Sequence, residues 1–115
     1  MARLPYDPDS WPARWILQLI AAGRIHDFYN SKLWKKLRDK VLKDQRHRCW
    51  DCMHKRPARI TRADTVHHVH EVRERPDLAL SEYDEHGQIN LICLCSSCHW
   101  DRHHQRTEPV TEERW

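Results

Sequence analysis

Two Cys-x-x-Cys pairs, Cys49/Cys52 and Cys95/Cys98, constrain this 115-residue chain more than any other feature. Each tight turn presents two sulfurs together, and four thiolates satisfy the tetrahedral preference of a structural zinc. The pairs stand at either end of the stretch 53–94, so one ion would join two distant parts of the chain and enclose whatever lies between them. A chain of this length buries only a thin core, and a zinc staple supplies the stability that the core lacks. The cysteine count is 5, and the odd number favours ligation over disulfide pairing. Cys93, the spare, sits in the apolar run Leu91-Ile92-Cys93-Leu94 and is expected to be a buried core thiol.

Composition narrows the partners. The N-terminus, with Asp7, Asp9 and repeated Pro, does not read as a signal peptide, and no apolar run approaches the ~20 residues of a membrane span. A reducing cytosol is the expected compartment. The formal net charge is only +3, but residues 31–62 hold 12 Lys/Arg against 3 Asp. Residues 71–85 swing the other way, with 6 acids against Arg73 and Arg75. One basic face is what a polyanion such as DNA would meet, although a solvated helix face gives the same count.

The periodicity predicts helices before strands. Ser10 reads as an N-cap and Pro12 as a first-turn residue, followed by an apolar stripe of Trp15, Ile16, Leu19 and Ile20 that ends at Gly23. A second helix is expected from about Asn30 or Ser31 to Asp44, with Leu33, Trp34, Leu37 and Val41 as its core stripe. The six tryptophans are expected to supply core bulk. Thr65–Val72 alternates as a strand does, with Val66, His68 and His70 on one face and Thr65, His67 and Val69 on the other. The acidic stretch 73–87 reads as a long connection, Ile89–Leu94 as a second strand, and Ser96–Gln105 as a helix capped by Ser96 or Ser97.

Ten histidines make chance clusters unremarkable, so His26, His47, His54, His70, His86 and His104 are assigned no function. His67-His68 is more informative, because neighbours on a strand face opposite ways: one imidazole can hold a metal while the other faces a reacting water. His99 and His103 stand i, i+4 on the last helix, one face of it, which suits two ligands to one ion.

His68, Asn90 and His99, with His99 directly after the second Cys-x-x-Cys pair, resemble the HNH endonuclease family, and the four cysteines resemble its zinc-knuckle members. With His103 the set is similar to the H-N-H-H arrangement of colicin-type DNases. The stretch from Phe28 to Arg38 looks like the lead-in helix of small phage HNH proteins found near packaging genes. The resemblance spans roughly residues 28–104.

The resemblance implies an α+β fold: a small ββα-metal (HNH) core with a four-cysteine zinc knuckle and N-terminal helices. It divides the chain into an N-terminal extension with a short helix (1–27), a nuclease domain (28–106) and a C-terminal tail (107–115). His68 would be the general base and Asn90 would hold the loop around it. His67, standing where many members carry Asp, would ligate one catalytic divalent metal together with His99 and His103. A histidine in place of Asp softens the site, which favours Mn2+, Ni2+, Co2+ or Zn2+ over Mg2+. Lys35, Lys36, Arg62 and Arg73 would grip phosphates of the DNA. A phage terminase or another packaging protein is an implied partner. The rival expectations are a zinc-stabilised DNA-binding module without catalysis and a subunit active only inside a packaging complex.

Overall fold

The computed structural model describes residues 6–104. Its elements are helices α1 (Trp11–Ala21), α2 (His26–Tyr29), α3 (Lys32–Asp44) and α4 (Trp50–Met53), strand β1 (Thr65–His68), a 3-10 turn (Pro76–Leu78), strand β2 (Leu91–Leu94) and helix α5 (Ser96–His104). The two strands pair antiparallel, with Thr65 opposite Leu94 and His68 opposite Leu91. Among the described residues no helix is long and apolar enough to cross a membrane.

Local chemistry sets the ends of the helices. Ser10 caps α1 in an extended conformation without a side-chain hydrogen bond, and Pro12 occupies the first turn where no N–H is needed. Gly23, at φ +67°, turns the chain out of that helix in the left-handed region open to glycine. Ser31 Oγ accepts a hydrogen bond from Trp34 N at 3.2 Å and so starts α3. At the other end of α3, Gln45 reaches onto β2: its Nε2 donates to Leu91 O at 2.8 Å and its Oε1 accepts from Cys93 N at 2.9 Å. That side chain satisfies backbone groups on an otherwise open strand edge.

One apolar cluster runs through Ile16, Phe28, Trp34, Val41, Val66, Leu91 and Leu94. Cys93 is buried within it, as expected, and burial pushes its thiol up to about 11. Several expectations need correction. Leu33, assigned to the core stripe, is 51% exposed, because Trp34 and Val41 define the buried face and Leu33 falls off it. Trp34 is buried, but Trp11 and Trp100 lie exposed on helix surfaces, and Trp115 falls outside the described residues. β1 ends at His68 rather than Val72, since Val69 N and His70 N turn to Asn90 O and Asn90 Oδ1 instead of extending the ladder. Neither serine caps α5; the helix begins at Ser96, and His99 N bonds back to Cys95 O. The tail assigned to 107–115 lies outside the described residues.

Candidate metal centres

Both Cys-x-x-Cys turns converge. The four Sγ atoms of Cys49, Cys52, Cys95 and Cys98 lie within 4.8 Å of one another. Cys52 Sγ is 3.6 Å from Cys98 Sγ and 3.9 Å from Cys95 Sγ. A zinc–sulfur bond near 2.3 Å gives tetrahedral edges of about 3.8 Å, so the sulfurs already stand at ligand spacing. Cys49 N bonds to Thr61 O at 2.8 Å and Arg59 N to Cys52 O at 2.9 Å, which folds the first turn against the segment after it. Burial raises the thiols of Cys49 and Cys98, whereas a hydrogen bond with Thr61 pulls Cys52 down to about 7. This site fits a structural metal: sulfur donors, enclosure and no open ligand position.

A second group forms on the α5 side of β1. His67, His99 and His103 each offer a ring nitrogen within 4.8 Å of the others. His99 Nε2 and His103 Nε2 are 3.1 Å apart, close to the roughly 3.3 Å edge expected for two nitrogens on one tetrahedral zinc-like ion. All three imidazoles are held neutral. Burial first, then electrostatic interaction with His99, Arg102 and His103, disfavours a proton on His67 and lowers it to about 3. Burial and then His103 lower His99 to about 4, and burial lowers His103 as well. Neutral, convergent nitrogens are the donor state that a transition metal requires.

His68 faces the other way, as strand alternation demands. Its ring stacks on Trp34 at 4.7 Å and meets Phe28 and Tyr29 at 6.1 and 6.4 Å. Nε2 stands 2.9 Å from Ala79 O, an acceptor, so Nε2 carries the proton and Nδ1 the lone pair. Nδ1 is buried without a hydrogen-bond partner. The ring is 2% exposed, and burial lowers it to about 4.

Asn90 is fully buried and organises the same strand end. Its Nδ2 donates to Leu78 O at 3.0 Å and Ser81 O at 2.9 Å, while its Oδ1 accepts from His70 N at 3.0 Å. The asparagine thereby ties the end of β1 to the 3-10 turn whose carbonyl at Ala79 orients His68. His70, assigned no function from sequence, meets the Asp84 carboxylate through its Nε2 at 3.0 Å. Arg75 grips Asp77 and Glu85, which braces the connection that presents Asn90.

The basic side chains are less uniform than their count. Lys35 and Arg38 border a cleft of about 240 Å3 that opens beside the start of β1, with Tyr29, Trp34 and Thr65 in its walls. Lys35, Lys36, Arg62 and Arg73 are exposed. Arg62 pairs with Asp64 at 3.3 Å, and Lys40 is held by Asp44 and Glu82, so part of the positive charge is already compensated. Sequence reading missed three contributions: the Trp34 cover, the Ala79 carbonyl and an Asp51–Arg102 pair. No spacing rule announces them, because each is made by residues far apart in the chain.

No family model matches the sequence, and a comparison with curated proteins finds no match. Among solved structures, the crystal structure of the deep-sea thermophilic bacteriophage GVE2 HNH endonuclease with manganese ion is similar. The two share 24% identity at a TM-score of 0.51, over 86% of this chain and 94% of that one. The likeness is one of fold, the small ββα arrangement of that endonuclease: here an antiparallel pair of strands and a helix, with a cysteine cluster.

Proposed function

We propose that this chain is a metal-dependent HNH endonuclease that hydrolyses DNA phosphodiester bonds. The observation that carries the reading is the convergence of His67, His99 and His103 on one point of a strand-and-helix scaffold similar to that of a phage HNH endonuclease. A divalent metal bound there would supply Lewis-acid stabilisation of the charge that develops on the phosphate and the leaving oxygen.

The chain's own residues do the rest. Ala79 O fixes the tautomer of His68 so that Nδ1 is the proton acceptor for an attacking water. Asn90 holds the strand end that sets this orientation and takes no proton itself. Trp34 stacks on the ring face and the fold buries Nδ1, so water reaches Nδ1 only when the packing around it opens. Once solvated, the imidazole regains basicity towards its ordinary value near 6.5. Lys35 and Lys36 on α3, with Arg62 and Arg73, would contact backbone phosphates without reading sequence. Cleavage in the manner of HNH nucleases leaves a 5'-phosphate and a 3'-hydroxyl. Structural zinc in the cysteine site, a phage or prophage origin, a role in DNA packaging or processing beside a terminase, and action in the host cytoplasm complete the proposal.

One observation favours the non-catalytic DNA-binding reading, namely the near-complete burial of His68. A cleavage assay on supercoiled plasmid, run across Mg2+, Mn2+, Co2+, Ni2+ and Zn2+, separates the two. The wild type cuts with at least one ion, and His68→Ala does not, while zinc content and DNA affinity stay at wild-type levels. Full cleavage by His68→Ala rejects His68 as the base; no cleavage by the wild type under any ion favours the binding module or the packaging subunit.

A further inference from the structure

Helix α5 serves both metal sites, yet its anchoring is lopsided. Cys98, in its first turn, is its one fully buried side chain. His103 stands in the last turn, half-buried, with its ring centroid 5.6 Å from that of buried His67. A second tie there is electrostatic: Arg102 Nε and Nη2 donate to Asp51 Oδ2 and Oδ1 at 2.6 and 2.7 Å. Asp51 belongs to α4, inside the first Cys-x-x-Cys turn, and both side chains are largely shielded, with 22% exposure for Asp51 and 33% for Arg102. The same α4 region makes a second contact at the start of α5, where Lys55 Nζ donates to Cys98 Sγ at 3.5 Å.

Arg102 follows His99 by three residues and precedes His103 by one, so it flanks the ligand face of the helix. A bidentate guanidinium–carboxylate pair resists rotation in a way that a point contact does not. The position also carries a charge problem, because a guanidinium whose field reaches His67 opposes entry of a dication. Its field already contributes to lowering His67. Asp51 offsets that charge while it holds the helix.

We propose that Asp51 and Arg102 are a positioning pair: they fix the last turn of α5 against the first cysteine turn, so that the histidine triad is preorganised to bind its metal only while the pair is intact. The proposal rests on the reading of His67, His99 and His103 as a metal site. Outer partners of metal ligands commonly change affinity by about 10- to 100-fold when removed, which sets the expected scale.

The test is a calorimetric titration of zinc-loaded, full-length protein with Co2+, alongside the absorption spectrum of the bound cobalt and the zinc content of every variant. Wild type is expected to bind one Co2+ without the intense thiolate band that displacement of zinc would give. Asp51→Asn, which breaks the pair and leaves Arg102 uncompensated, should weaken Co2+ at least about tenfold. Arg102→Met, which also removes the repulsion, should weaken it less, and both should alter the visible d–d spectrum. Arg102→Lys, a single-pronged cation, should recover part of the affinity. Unchanged affinity and spectrum in both disrupted variants overturn the positioning role while the metal site stands. Loss of zinc in those variants also overturns it, since the pair would then serve the cysteine site. If wild type binds no second ion, the metal-site reading itself fails.

Discussion

Replacing Asn90 with alanine tests the arrangement of the strand end that carries His68. The side chain is wholly buried and makes three hydrogen bonds, to Leu78 O, Ser81 O and His70 N. Removing it strands two carbonyls and one amide in a site with little room for water. At about 1 kcal/mol for each lost bond, the expected destabilisation is about 3 kcal/mol. Urea denaturation of zinc-loaded protein at neutral pH measures it, and plasmid cleavage on the same samples reports whether His68 has lost its orientation. Asn90→Asp adds a sign test. Its second carboxylate oxygen would face the Leu78 and Ser81 carbonyl oxygens, which raises the folded-state pKa above the ordinary ~3.9 of Asp. The penalty is then full at neutral pH and shrinks as pH falls through the folded pKa. A loss below about 1 kcal/mol in Asn90→Ala, with cleavage intact, would refute the claim that this side chain organises the site.

Three further outcomes are expected. His68 titrates at about 4 in the fold, below its ordinary 6.5, so the stability tied to its neutral form is full above pH 6.5 and is lost as pH falls towards 4. Between pH 7 and pH 5 this amounts to about 2 kcal/mol, visible as a steeper acid loss in wild type than in His68→Gln by urea denaturation. Lys35→Ala and Lys36→Ala should each lower the slope of log affinity against log salt by about one unit on duplex DNA, and an unchanged slope would remove that lysine from the interface. Cys95→Ser should cost zinc and the cooperative thermal transition together; a variant that melts like wild type without zinc would show that the cysteine cluster is not a staple.

How far the sequence disclosed this molecule depended on whether a signal was local. The start of α3 near Ser31, its stripe around Trp34 and Val41, and an apolar strand within Ile89–Leu94 were legible because helix-start signals and periodicity act over a few residues. The cysteine and histidine sets were legible as ligand types at turn and helix spacings, and the fold brings both sets together. What the sequence hid arises across the chain. His68 reads as a water-facing base on alternation alone, but the aromatic cover over it comes from α2 and α3. His70 looked idle until the connection returned Asp84 to it. Arg102 looked like one more basic residue until the first cysteine turn placed Asp51 against it. The short helix His26–Tyr29 carries too few residues for periodicity to register, yet it supplies Phe28 and Tyr29 to the core.

The central claim is that two chemically distinct ions occupy this fold, one among sulfurs and one among imidazoles. Anomalous diffraction at the zinc and manganese edges, from crystals grown with both metals, addresses it directly. The account predicts a zinc peak between Cys49, Cys52, Cys95 and Cys98 and a manganese or zinc peak within bonding distance of His67, His99 and His103. A filled cysteine site beside an imidazole cluster that holds no ion, even at saturating metal, would contradict it.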